Sequence, residues 1–503
     1  MAEGNFISVP DRVRAQAVAH PQRLALRDEA ATLTHAQLAQ AMALAAARFA
    51  RAGVRSGDVV AICAFNSVGY VVACLAAAGM GAVVAPLPQS ATADSLARMI
   101  ADCDAKLVLV DDDTREVVAG DAVRAVVRDL ADIASTVPAA HETTAFDWPA
   151  IDPAQPFNII YSSGTTGTPK GIVQSHAMRE THVRLGEASG YRTGGVTLLS
   201  TPLYSNTTLI SLLPTLALGG TAVLMRKFSA DGFLALAQQH RATHAMLVPI
   251  QYQRLMAHAG FDAFDLSAFE EKFCTSAPFP AELKRDVLAR WPGGLTEYYG
   301  MTEGGGLCVL QAHLHPDKLH TVGRPAPDTD MRIIDEDGAE LPPGGVGEIV
   351  GRSGIVMSGY HNRPDATAEA TWTSPEGLRF VRTGDIGRFD EDGFLLLMDR
   401  KKDVIISGGF NIYPSDLEDV LRAHPGVADA AVVGVASDAW GETPVAFVVG
   451  NGVVADALLA YVNARVGKSQ RLAGLRLVDA LPRSAIGKLL KRELRAAWTE
   501  AAR

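Results

Sequence analysis

Val59-Val60-Ala61-Ile62-Cys63-Ala64 is a run of six apolar residues with no polar and apolar alternation. A run this short, unbroken by charge, reads as a strand covered on both faces, the environment of a parallel sheet. Working outward, the Ala- and Val-rich segment from Val68 to about residue 80 reads as a buried helix, and Ala82 to Ala85 as a second strand. Ser95 to Cys103 has helical character, and Leu107-Val108-Leu109-Val110 is a third strand. Strand–helix–strand alternation with short connections means an α/β fold built on a parallel sheet. Upstream, residues 10–55 carry two alanine-rich helical patterns, with Thr34 placed to cap the second. Val68 to Pro86 is the most apolar early stretch, but its glycines and small residues suit a helix running into a strand better than a membrane span.

The next strand, Phe157 to Ile160, leads into Tyr161-Ser162-Ser163-Gly164-Thr165-Thr166-Gly167-Thr168-Pro169-Lys170-Gly171. Three glycines let the backbone approach a ligand, five hydroxyls add short donors, and Lys170 adds a mobile positive charge. That composition describes an anion-holding loop, most naturally for polyphosphate, with a polar surface turn as the plain alternative. No Gly-Lys-Ser/Thr follows at the spacing of a Walker loop.

Alternation then resumes, with strands at Val196 to Ser200, Thr221 to Met225 and Ala245 to Val248, and helices at Leu209 to Leu218 and Phe233 to His240. Phe273 to Pro278 is a further strand end, followed by a helix from Pro280 to Arg290. Several strands terminate in Ser, Thr, Pro or Gly, and ligands gather at the carboxyl ends of such strands. From about 320, short strands (Met331 to Ile334, Gly347 to Gly351, Gly393 to Leu397) among Gly, Pro and Asp turns indicate a β-rich antiparallel subdomain. The expected organisation is a large domain over 1–400, a hinge at 401–403 and a small mixed domain over 404–503.

At 503 residues the chain exceeds one compact core. A formal net charge of −10 argues against a general nucleic-acid binder. Five cysteines without a CxxC pair give neither a disulfide framework nor a zinc site, and suit a reducing, cytoplasmic compartment. The first residues lack a basic region followed by an apolar core, so no signal peptide is read there.

Other segments carry chemistry. In Thr296-Glu297-Tyr298-Tyr299-Gly300-Met301-Thr302-Glu303, Tyr299 offers a flat face for a base, Thr302 a hydroxyl, and Glu303 a carboxylate that beside phosphates would suit Mg2+. A polar loop with a packed tyrosine is the alternative. Asp385, after Arg382-Thr383-Gly384, can accept both hydroxyls of a ribose or simply sit in a hairpin turn. Asp399-Arg400-Lys401-Lys402-Asp403 reads as a solvated charge run, and Ser407-Gly408-Gly409-Phe410-Asn411 as a turn. From Arg465 to Arg503, ten Lys/Arg face three Asp/Glu, and Gly487 gives Lys488 freedom to swing.

Taken in order and spacing, Tyr161–Gly171, Tyr298–Glu303, Arg382–Asp385, Arg400–Gly409 and Pro482–Lys488 resemble the motifs of the adenylate-forming superfamily. That superfamily comprises acyl-CoA synthetases, nonribosomal peptide adenylation domains and luciferases, and the likeness spans about residues 30 to 495. It implies a large domain of parallel-rich sheets layered αβαβα plus a β subdomain, with a small mobile α+β domain. The implied reaction is attack of a carboxylate on the α-phosphate of ATP, then displacement of AMP by a thiol. By the resemblance, Thr165, Thr166 and Lys170 hold the β- and γ-phosphates. Tyr299 stacks on adenine, with Gly300, Ala277 and Pro278 lining that site. Thr302 contacts the α-phosphate and Glu303 holds Mg2+. Asp385 and Arg400 take the ribose, and Lys488 bridges carboxylate and α-phosphate. Lys402 is the implied hinge of a domain rotation that brings Gly408 and Gly409 to the tunnel for coenzyme A.

The chain departs from the pattern twice. Pro202-Leu203-Tyr204-Ser205-Asn206 keeps the aromatic residue but has Ser205 where a gating histidine is usual, so no cation forms there. Asp399 replaces a glycine before the ribose arginine. The chain ends soon after Lys488 with no carrier domain following, which favours coenzyme A over a carrier protein as acceptor. Ser205, Asn206, Tyr252, Gly304 and Gly305 are the expected acid-pocket residues, with the three glycines from Gly304 leaving open space. Their small, apolar character fits a medium-chain, alicyclic or aromatic monocarboxylate. The reading leaves a homodimer open. A carrier-protein ligase and a non-catalytic nucleotide-binding scaffold are the alternatives.

Overall fold

The computed structural model describes residues 6–118, 125–135, 145–162, 170–407, 410–437, 439–484 and 487–500. It divides into two compact units, 1–330 with 352–381, and 331–351 with 382–503.

In the first unit Val59–Cys63 is a fully buried strand flanked by parallel partners Val83–Pro86 and Ala105–Val110. Burial on both faces explains the unbroken apolar run. Among the described residues this sheet has seven strands, continuing through Pro156–Ser162, Lys170–Ser175 and Gly359–Tyr360. The last two pairings are antiparallel, so the strand entering the glycine-rich loop returns directly as Lys170–Ser175. Neither that return strand nor the helix His176–Ala188 after it is legible as apolar periodicity, because both carry buried polar residues.

Among the described residues a second sheet of the first unit has nine strands. Its centre is parallel, with Val196–Leu199 between Thr221–Leu224 and His244–Leu247, then Glu271–Cys274 and Gly294–Gly300. Pro249 does more than stop a strand: it is the first residue of the helix Pro249–Met256, where a missing N–H costs nothing. Thr34 caps His35–Arg51 as expected, in a capping box with Gln37. One large apolar cluster, from Val9 to Leu224, packs the helices between the sheets.

The second unit holds most of the strands Gly347–Arg352 and Arg379–Phe389, and all of Leu395–Arg400, which is antiparallel to the second of these. Its other sheet is built on the long antiparallel pair Val427–Ser437 and Gly441–Gly450, with its own apolar core. Among the described residues no helix is long and apolar enough to cross a membrane.

Candidate functional site

Thr165 and Thr166, expected to hold phosphate, and Gly408 and Gly409, expected at a thiol tunnel, lie outside the described residues. Lys170, at the end of the same loop, is described. Its ammonium lies over the ring of Tyr360, 5.1 Å from the centroid. The Tyr360 hydroxyl donates to Oε1 of Glu303 at 2.9 Å. Tyr360 reaches both because Gly359–Tyr360 pairs with the return strand, opposite Ile172 and Val173. One tyrosine thus joins Lys170 to a carboxylate 133 positions along the chain. Burial pushes the Tyr360 phenol well up, and the Glu303 carboxylate adds to this, so it stays a donor. Its only sequence signal was an aromatic residue after a glycine.

Tyr299 and Gly300 end the strand Gly294–Gly300 and pair with Cys308 and Leu307. Tyr299 is a strand residue, buried, and not part of a loop. Ala277 and Pro278 follow the neighbouring parallel strand Glu271–Cys274, so both parts of the expected adenine wall sit at adjacent strand ends. Between them Ser276 takes a left-handed backbone, φ 84°, and its hydroxyl lies 2.6 Å from that of Thr207.

Gly304 and Gly305 correct an expectation of open space. Both have positive φ, and a Cβ at Gly304 would meet the Ile355 carbonyl oxygen at 2.0 Å. Gly305 N–H donates to that same oxygen at 2.6 Å, and Met357 N–H to Glu303 O at 2.8 Å. The glycines are small so that another backbone can lie against them. Tyr252 also moves out of the expected pocket. It is fully buried, stacked on Phe279, and its hydroxyl donates to Phe273 O at 2.9 Å. It is a packing residue of the aromatic core.

Ser205 is the N-cap of the helix Asn206–Ala217, accepting from Thr207 N–H at 3.3 Å. Asn206 accepts at Oδ1 from Nη1 of Arg179 at 2.8 Å. Arg179 was missed by sequence reasoning. Its signal is helical position: Met178, His182, Val183 and Gly186 share its buried face, so an arginine there is a buried charge. Its Nε donates to Asn158 Oδ1 at 2.8 Å, and Nη2 to Gln174 Oε1. Gln174 in turn donates to the main-chain oxygen of Thr302 at 2.7 Å. Burial pushes Arg179 down to about 9, which leaves it cationic at neutral pH.

In the second unit Asp385 and Arg400 are register partners across two strands, with Nε and Oδ1 3.1 Å apart. Lys401 bonds Glu348 at 2.9 Å, and the buried Asp403 pairs with Arg495 at 2.8 Å. The run from Asp399 to Asp403 is therefore not simply solvated. Asp399 accepts from Ser415 N–H at 2.9 Å, at the start of the helix Pro414–Arg422, with Lys491 at 3.8 Å. A carboxylate at that helix start explains why glycine is replaced. Lys402 is exposed between these paired neighbours, and partial desolvation lowers its pKa. Lys488 lies exposed in a tight turn, where Gly487 has φ 78° and Ser484 N–H donates to Lys488 O at 2.8 Å.

Among the described residues no group of three His, Cys, Asp or Glu side chains could cage a metal. Glu303 offers a single carboxylate, so an ion held there would take its other ligands from phosphate oxygens, which is the habit of Mg2+.

The model of the AMP-binding enzyme family matches residues 13–361, and that of the AMP-binding enzyme C-terminal domain matches 416–488. A feruloyl-CoA synthase of Amycolatopsis sp is 34% identical over 94% of this chain and 96% of its own length. A fatty acid–[acyl-carrier-protein] ligase, ScoC, of Streptomyces coeruleorubidus is 32% identical over 96% of this chain and 95% of its own. Among solved structures, ATP-bound MatB from Rhodopseudomonas palustris is similar with a TM-score of 0.89, at 29% identity over 99% of this chain and 100% of that one.

Proposed function

The chain belongs to the AMP-binding enzyme family, whose members include acyl- and aryl-CoA ligases, and from that membership we propose that it joins a monocarboxylic acid to coenzyme A at the expense of ATP. The acid is aromatic, alicyclic or medium-chain, and the aromatic choice is supported by the likeness to a feruloyl-CoA synthase. The observation that carries the reading is Tyr360, held by Glu303 on one side and by Lys170 on the other. That link brings together Lys170, the proposed phosphate-binding cation, and Glu303, the proposed metal-binding carboxylate.

In the first step the acid carboxylate attacks the α-phosphorus of ATP, and pyrophosphate leaves. Lys170, with Thr165 and Thr166, holds the departing β- and γ-phosphates. Thr302 meets the α-phosphate, and Tyr299 stacks on adenine against Ala277 and Pro278. Glu303 would hold a Mg2+ ion, which would neutralise charge on the phosphates. Asp385 and Arg400 take the ribose hydroxyls, exchanging their mutual ion pair for bonds to the nucleotide. Lys488, on its glycine-flanked turn, places an ammonium between carboxylate and α-phosphate. In the second step the thiol of coenzyme A attacks the acyl carbon and AMP leaves. We assign Lys402 as the hinge of the rotation between the steps, with Gly408 and Gly409 lining the thiol path.

A second reading, loading of a carrier protein, is favoured by the likeness to ScoC. Incubating the protein with ATP, Mg2+, coenzyme A and a panel of ferulate, benzoate, cyclohexanecarboxylate and octanoate decides between them. An acyl-CoA and AMP in equal amounts is the expected product. Acyl-adenylate without consumption of coenzyme A would favour the carrier reading, and no turnover of ATP with any acid would favour a nucleotide-binding scaffold.

A further inference from the structure

The Ser205–Asn206 pair offers no side chain that can become cationic, yet the proposed substrate is an anion. The structure sets a permanent cation directly behind it. Arg179 is fully buried, and its partners Asn158, Gln174 and Asn206 are all neutral amides. No Asp or Glu among the described residues pairs with it. The nearby His182 is itself buried and held neutral, and the ring of Phe157 lies 5.9 Å from the guanidinium carbon. An uncompensated buried guanidinium is costly, so its charge has to be offset by what surrounds it or by what binds nearby.

The chemistry of the contact fixes a direction. A guanidinium has donors only, so Asn206 must turn its oxygen toward Arg179 and its NH2 away. Asn206 is half-buried at the first turn of its helix, and the helix dipole has the same sign there. Through Gln174 the same guanidinium also fixes the main-chain oxygen of Thr302. We infer that Arg179 is a positioning residue that makes the acid pocket electropositive, aiming the Asn206 amide N–H groups at the substrate carboxylate while it holds the Thr302 segment in register with it. The inference rests on the ligase reading above. Arg179 touches no substrate; it acts through Asn206 and Gln174.

The test is acid-dependent exchange of pyrophosphate into ATP, with ferulate, or with benzoate or octanoate where that runs faster. Arg179→Gln raises KM for the acid at least tenfold and changes KM for ATP less than twofold. Arg179→Lys recovers most of the loss. Asn206→Asp, whose carboxylate would cancel the guanidinium charge, raises KM for the acid more than Asn206→Ala does. Competition adds a readout that a packing role would not move: the unaltered protein binds ferulate better than its neutral amide, and Arg179→Gln loses that preference. Should Arg179→Gln fail to fold, Asn206→Asp and Asn206→Ala carry the comparison. Equal rises in the KM of acid and ATP, or an unchanged preference for acid over amide, overturn the inference and leave the ligase reading standing. No exchange by the unaltered protein with any of the three acids overturns the ligase reading, and the inference with it.

Discussion

The hydroxyl of Tyr360 donates to Glu303 Oε1 at 2.9 Å. Glu303 half-exposed and unheld would sample several rotamers, and a metal ligand must be fixed to be useful. Tyr360→Phe keeps the ring beneath Lys170 and removes only this bond. The concentration of Mg2+ that half-saturates pyrophosphate exchange should rise several-fold, with KM for the acid unchanged. Thermal unfolding should show a loss of about 1.5–3 kcal/mol, the range for a bond to a charged acceptor.

Three of the buried histidines contribute most plainly to the response to acid. Burial depresses His35 to about 4, His176 to about 4 and His182 to about 3. The unfolded chain protonates them near the ordinary value of about 6.5, and the folded chain does not. Their contribution is therefore complete above about pH 6.5 and is lost as pH falls toward the folded values, because unfolding takes up as many as three protons. The slope approaches about 4 kcal/mol per pH unit at its steepest. Calorimetry between pH 8 and 5 should show Tm falling below pH 6.5, and a His182→Leu variant should show a shallower fall.

Asp399 is expected to act on structure and not on the nucleotide. Its Oδ2 accepts from Ser415 N–H at the start of a helix. Asp399→Asn keeps an acceptor there but loses the charge, and should cost no more than about 1 kcal/mol. Asp399→Gly removes it and should cost about 1.5–3 kcal/mol, read by denaturant unfolding of the whole protein.

Lys402 lies within the single turn Lys401–Asp403, between two ion-paired neighbours. Fixing its backbone tests the hinge assignment. Lys402→Pro should retain acid-dependent pyrophosphate exchange within a few-fold and slow acyl-CoA formation at least tenfold. Equal rates of acyl-CoA formation in the variant and the unaltered protein would place the hinge elsewhere.

Much of this was legible in the sequence, for identifiable reasons. Val59–Cys63 and its neighbours announce a parallel sheet because strands buried on both faces cannot alternate. The order of Lys170, Tyr299, Glu303, Asp385 and Lys488 carries the family. What stayed hidden depends on contacts between distant segments. Gly304 reads as space until the backbone at Ile355 is seen against it. Tyr252 reads as a pocket residue until its hydroxyl is seen on Phe273 O. Arg179 and Tyr360 belong to no motif, and only the folded chain sets them beside Asn206 and Glu303.

The central claim is that an acid is activated as its adenylate with Lys488 at the reacting phosphate. The most direct measurement follows both half-reactions in the unaltered protein and in Lys488→Ala. Acid-dependent exchange of pyrophosphate into ATP reports the first, and conversion of a supplied acyl-adenylate to acyl-CoA reports the second. The expected result is exchange that requires acid and Mg2+ in the unaltered protein. In the variant, exchange should fall at least a hundredfold while the conversion is largely kept. Exchange without any acid, or equal loss of both half-reactions in the variant, would contradict the account.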